Sequence, residues 1–124
     1  RDLHKEYRRQ RQMCIRDRIE EPEALTNVEK IAAVDGIDGL FLGPSDMSVS
    51  MGHTDTNSLD LLNALKRTGD AAKKASKAYM TFVPNAAKAA DWAQYGADMF
   101  FVGSEHGWMK AGANSDASGI HRIT

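Results

Sequence analysis

Two carboxylates stand where a sheet of parallel strands would present them together. Glu20 follows a short apolar end at Ile19, and Asp46 follows the run IDGLFL, Ile37 to Leu42, across the turn Gly43-Pro44-Ser45. When strands alternate with helices, chemistry gathers in the loops at the strands' carboxyl ends, so both acids belong on one rim. Two hard oxygen donors, with no HxxxH spacing beside them, suit magnesium or manganese rather than structural zinc, with water or a chelating substrate completing the shell. The backbone amides of Ser45 and Asp46 open the next helical turn and face outward for an anion, whereas Pro44 has no N–H to give. Spacing alone leaves simpler roles open. Glu20 equally suits the N-terminus of the following helix, and Asp46 equally suits an N-cap for Met47-Ser48-Val49.

The other ionisable groups carry less. His53 follows a turn glycine and reads as a surface residue; His121 lies in a polar, frayed tail. His106 sits in a loop after a strand, a place that carries sites in such folds, so lining the pocket stays open for it as the lesser reading. Lys73, Lys74 and Lys77 read as a solvated helix end, where cations suit the dipole. Neither Lys77 nor Lys110 has the apolar setting that would depress its pKa and make it a nucleophile.

The first 18 residues stand apart. RRQRQMCIRDR, Arg8 to Arg18, back-translates without a gap into a transposase-type sequencing-library adapter; Arg1 to His4 continue into its upstream flank, with Lys5 to Tyr7 filling a variable index. Residues 1–18 are therefore expected to be adapter-derived rather than native, and residues 19–124 to hold the folded domain. The whole chain has net charge -1, but setting that segment aside leaves nine basic and fourteen acidic residues. An acidic remainder without an arginine cluster excludes a phosphate-tracking face, so no nucleic-acid partner is expected. The one cysteine, Cys14, falls in the same segment, which removes disulfides and thiolate sites. The apolar runs are strand-sized, short of the roughly 20 residues that span a bilayer, so no membrane partner is expected and a cytoplasmic location is.

The elements that must position the acids alternate regularly. Ala24, Leu25, Val28, Ile31, Ala32 and Val34 recur at helical spacing between Pro22 and Gly36. Ile37 to Leu42 is strand-length. Leu59 to Ala75 reads as a helix with Leu59, Leu62, Leu65 and Ala72 on one face. Ala78 to Val83 reads as a strand, Ala86 to Tyr95 as a helix stopped by Gly96, and Met99 to Val102 as a strand whose Met99, Phe100 and Phe101 are core. A last helical stretch runs from about Gly107 through Ala113. Trp92 and Trp108 are expected to bury their rings between helices or subunits.

Two segments, Gly36 to Gly43 and Gly96 to Gly103, share the pattern G-x-D-x-[LF]-F-[LV]-G. Each leading glycine suits a left-handed helix cap, and each trailing one a sharp exit from a strand. Three strands, with the end of a fourth at Ile19, imply about four strand–helix units of an α/β parallel sheet. A closed eight-stranded barrel takes about 250 residues. The expected fold is therefore the C-terminal part of a (β/α)8 barrel, with the N-terminal half absent.

The stretch IEEPEALTNVEKIAAVDGIDGLFLGPSDMSVSMG, Ile19 to Gly52, closely resembles the HpcH/HpaI aldolase family. The likeness is strongest at GPSD and continues through GADMFFVGSEHGWMKAG, Gly96 to Gly112. The resemblance implies a metal-dependent carbon–carbon lyase that cleaves a 4-hydroxy-2-oxo acid, of the 2-dehydro-3-deoxy sugar acid or 4-hydroxy-2-oxoheptanedioate type, into pyruvate and an aldehyde. It implies that Glu20 and Asp46 hold a divalent metal, magnesium or manganese with cobalt as a third option. It places Ser45, Gly43 and Phe82 at the substrate, Ser45 and Phe82 through their backbones. It also implies that a histidine and an arginine from earlier strands move the proton, so the chain alone is expected to be inactive. Homo-oligomers are expected, with Trp108 and Met109 as contacts. Two alternatives remain: an acyl-CoA lyase like the citrate lyase β chain or malyl-CoA lyase, against which GPSDMSVSMG weighs, and a non-catalytic α/β binding module.

Overall fold

The computed structural model describes residues 18–122. Of the segment read as adapter-derived, only Arg18 falls among them. The elements run β1 (Arg18–Ile19), α1 (Pro22–Thr26), α2 (Val28–Ala32), β2 (Gly39–Leu42), α3 (Pro44–Ser50), α4 (Leu59–Lys74), β3 (Ala78–Val83), α5 (Ala86–Ala93), β4 (Met99–Val102) and α6 (Glu105–His121). The four strands form one parallel sheet in the order β1-β2-β3-β4. Chain order and sheet order coincide, and the parallel pairing puts every strand's carboxyl end on the same rim.

One face of the sheet is closed by helices. Leu40 and Leu42 of β2, and Tyr79, Thr81 and Val83 of β3, are buried on it against Leu61, Ala64, Leu65, Ala71 and Ala72 of α4. Val28 and Ala32 of α2 and Trp92 of α5 complete that layer. The other face is open. Phe41 meets Phe101 there edge-on, with ring centroids 5.4 Å apart, and Met99 and Phe101 are 52% and 53% exposed. The expectation that Met99 and Phe101 are core is corrected: β4 ends the described sheet, so nothing packs on its far side, and only Phe100 turns towards the helices.

Several other expectations change. The single helix over Ala24 to Val34 is two short ones, broken at Asn27. The Thr26 hydroxyl and the Asn27 amide both donate to carbonyls four residues back, at 2.9 and 3.1 Å, and such side-chain bonds compete with the helical ladder. Val34 falls beyond the end of α2 and is exposed. In α4, Ser58 caps the first turn by accepting from Leu61 N–H; the buried face runs through Leu61, Leu65 and Ala72, and Leu59 is exposed. The last helix starts earlier than Gly107, at Glu105, because Ser104 caps it through Gly107 N–H. It runs on to His121, so the polar tail is helical rather than frayed.

Lys77 is not a solvated lysine: it is half-buried and donates to the Ile37 carbonyl at the opposite end of the strands from the acids. His53 is half-buried too, with Nε2 2.8 Å from Asp60 Oδ2. Lys73 and Lys74 are exposed in the last turn of α4, as expected. Trp92 is buried with Lys88 above its ring, whereas Trp108 is exposed and lies against Gly103.

Candidate metal centre

The sheet register brings the two carboxylates together. Ile19 pairs with Leu42 and Arg18 with Phe41. Side chains alternate between faces, so Glu20 and Gly43, one residue further along each strand, share the open face with Phe41. β1 stops there, and Gly43 N–H donates to Ile19 O at 3.2 Å. Pro44 then starts α3, with its fixed φ and missing N–H both suited to that position, and Asp46 is the third residue of that helix.

Gly43 sits between the acids. A β-carbon there would lie 3.0 Å from Cγ and from Oε1 of Glu20, and 3.3 Å from Oδ2 of Asp46. Both carboxylates thus crowd around one point that only glycine leaves free. Glu20 Oε1 is buried and has no hydrogen-bond partner; Arg18 Nε lies 3.2 Å away as an ion pair, without hydrogen-bond geometry. A buried carboxylate oxygen that has no hydrogen bond and only a 56%-exposed guanidinium beside it is costly, and a dication is the kind of partner that offsets the cost. The acids line a depression of about 300 Å³ together with Glu21, Val49 and Ser50. Two hard oxygens, one of them buried without a hydrogen bond, beside a glycine cradle fit a divalent cation of the magnesium class. Among the described residues no set of three or more His, Cys, Asp or Glu side chains gathers to hold a metal, here or elsewhere, so the protein donors at this point are the two carboxylates alone.

The simpler roles fit less well. Glu20 precedes Glu21, the N-cap of α1, and the acid in the first turn of α1 is Glu23. Asp46 is not an N-cap: that position belongs to Gly43, and no side chain caps α3.

The remaining candidates divide. Ser45 is exposed in the first turn of α3, whose leading N–H groups have no partner within the helix. Leu42 pairs with Thr81, so continuing the register sets Phe82 beside Gly43 on the open face, although Phe82 does not line the depression. His106 is exposed next to Glu105, and His53 is engaged with Asp60; neither lines the depression. Sequence spacing had pointed to Asp46 but not to Val49 and Ser50. Positions three and four residues on share its helical face, so these two were accessible to the same argument.

Among the described residues no helix is long and apolar enough to cross a membrane. The profile of the HpcH/HpaI aldolase/citrate lyase family matches residues 1–112. A hydroxypyruvate/pyruvate aldolase of Delftia acidovorans is 33% identical over 114 residues, covering 91% of this chain and 42% of that protein. A 5-keto-4-deoxy-D-glucarate aldolase of an Enterobacter species is 34% identical over 94 residues, covering 75% of this chain and 37% of that one. The crystal structure of an HpcH/HpaI aldolase/citrate lyase family protein from Burkholderia cenocepacia superposes with a TM-score of 0.79 at 28% identity, over 84% of this chain and 41% of the other. The sheet is thus part of an aldolase-type barrel, and the chain spans about two-fifths of the length of these relatives.

Proposed function

Because the chain belongs to the HpcH/HpaI aldolase/citrate lyase family, we propose that it supplies the metal-holding part of a class II aldolase that splits a 4-hydroxy-2-oxo acid into pyruvate and an aldehyde. The observation that carries this reading is the pair of carboxylate oxygens, one buried without a hydrogen bond, gathered around Gly43 on the rim of a parallel sheet. The relatives named for hydroxypyruvate, pyruvate and 5-keto-4-deoxy-D-glucarate support a 2-oxo acid as substrate.

Each residue then has a physical task. Glu20 and Asp46 hold magnesium or manganese. When bound, that ion supplies a Lewis acid for the negative charge that collects on the keto oxygen as the carbon–carbon bond breaks. The Ser45 amide, in the first turn of α3, receives the substrate carboxylate. Gly43 leaves the approach clear, and Phe82, one strand over, contributes its backbone. Among the described residues no lysine lines the depression: Lys77 is tied to Ile37 O, and Lys110 is exposed on α6. The proton is moved by groups outside this chain, so the intact gene product is active and the chain alone is not. A cytoplasmic homo-oligomer completes the reading, with the exposed Trp108 and Met109 as contact residues.

The test is release of pyruvate from a 4-hydroxy-2-oxo acid by the intact gene product, coupled to lactate dehydrogenase. Chelation should stop it and manganese restore it. Glu20→Gln and Asp46→Asn should each lower kcat by about a hundredfold or more, the scale of losing a group that stabilises developing charge. Activity retained by both variants would overturn the assignment.

A further inference from the structure

Thr81 is 0% exposed and lies in the middle of the helix-facing side of β3, between Tyr79 and Val83. A hydroxyl is an expensive choice there, since valine fills the same space without a polar group to satisfy. The Thr81 hydroxyl donates to the Leu42 carbonyl at 3.0 Å. That carbonyl and the Gly43 N–H belong to one planar peptide unit, and the Gly43 N–H donates to Ile19 O at 3.2 Å. One rigid amide is therefore held on its two edges, by β3 on one side and β1 on the other.

Both acids are referenced to that amide. Glu20 follows Ile19 directly. Gly43 O accepts from Met47 N–H at 2.9 Å, the bond that starts α3 and sets the turn carrying Asp46. Tilting the Leu42–Gly43 plane would shift the end of β1 and the start of α3 relative to each other. It would therefore change the spacing of the two carboxylates without altering either of them.

We propose that Thr81 is a positioning residue for the Glu20–Asp46 cation site, acting through the Leu42–Gly43 amide. This rests on the assignment of Glu20 and Asp46 as a cation-holding pair, and adds that the affinity of the pair is set from the helix-facing side of the neighbouring strand. Groups that orient metal ligands without touching the metal are worth about ten- to a hundredfold in affinity.

Manganese titrated into the intact gene product, with free Mn2+ followed by its paramagnetic resonance signal, tests the idea. Thr81→Val should weaken binding about tenfold, Thr81→Ser should bind as wild type, and Glu20→Gln should not bind. At saturating manganese Thr81→Val should regain the wild-type kcat, so that the defect lies in affinity. If Glu20→Gln loses manganese while Thr81→Val binds it as tightly as wild type, the positioning role fails and the carboxylate site stands. If Glu20→Gln binds normally, the site fails and the positioning role with it. Should Thr81→Val not fold, Thr81→Ala and Thr81→Ser are compared: weaker binding by alanine supports the proposal, and equal binding overturns it.

Discussion

Gly43→Ala adds one methyl group at the point the two acids surround. The backbone accepts it without strain, because Gly43 has φ -88° and ψ 100°, a region open to every L-residue. The cost falls on the side chains. The new carbon would stand 3.0 Å from Cγ and Oε1 of Glu20 and 3.3 Å from Oδ2 of Asp46, where non-bonded atoms settle at about 3.5–4.0 Å. Glu20 must therefore withdraw by roughly 0.5 to 1 Å. It is the end of a flexible chain and 28% exposed, so the retreat costs the fold little. Alanine also narrows the unfolded ensemble, which favours the folded state by about 0.4–1 kcal/mol. A binding constellation, by contrast, tolerates displacements of only about 0.5 Å. The variant should melt within about 4 °C of wild type, the span of roughly 1 kcal/mol or less, while its affinity for manganese falls about ten- to a hundredfold. Calorimetric titration with MnCl2, alongside a thermal melt of the same sample, reads both. Wild-type affinity in a folded variant would show that the space around Gly43 is not where a cation is held.

Two further predictions follow from contacts away from the site. In Gly69→Ala the added carbon would meet Tyr95 O at 2.0 Å, a backbone atom that cannot swing aside; the variant should lose about 3 kcal/mol or more, and a wild-type urea midpoint would refute this. Glu29 receives Arg67 Nε and Nη2 at 3.2 and 3.1 Å, and that bonding lowers its pKa from the ordinary 4.5. A lowered carboxylate pKa contributes stability that is present above the unfolded value and is lost as pH falls through the folded one. The pair is exposed, so the effect is small. Melts of wild type and Glu29→Gln should converge as pH drops below 4.5, and a gap that stays constant would sink the argument.

That Glu20 and Asp46 share one rim was legible in the sequence, because strand–helix alternation forces successive strand ends together; their reading as metal holders, and Gly43 as a substrate position, came from the family resemblance, since spacing alone left helix-terminus roles open. Thr81 was not legible. In AYMTFV a threonine reads as a β-branched strand former, and its partner, Leu42 O, lies 39 residues away and is fixed only by register. The break at Asn27 was hidden for a related reason: apolar spacing runs through it undisturbed, and the interruption comes from polar side chains bonding backward. Leu59 and Leu61 differ in burial because the Ser58 cap and the packing against the sheet set the phase of α4. Of the face read from leucine spacing, Leu65 is buried and Leu62 packs against the core, while Leu59 turns outward and Leu61 takes its place. Met99 and Phe101 misled in the opposite direction, since apolar composition records what a strand can bury and not which partner is there to bury it.

The two faces of the sheet make unequal contributions to the site. The helix-facing side is closed and holds the backbone that aims the carboxylates: Leu42 and Thr81 are both fully buried there. The open side carries the carboxylates themselves, with Gly43, Phe82 and Phe101 at one level of the register and Phe41 one level below, its ring edge-on to Phe101 as an apolar wall. An acid pair beside such a wall attracts a cation more strongly once water is excluded, because Coulomb attraction rises as the local dielectric falls. With Phe101 53% exposed that exclusion is incomplete. On the proposed reading both faces therefore bear on affinity: the helix-facing side fixes where the oxygens point, and closure over the open face, as in a complete barrel, strengthens their attraction for a cation.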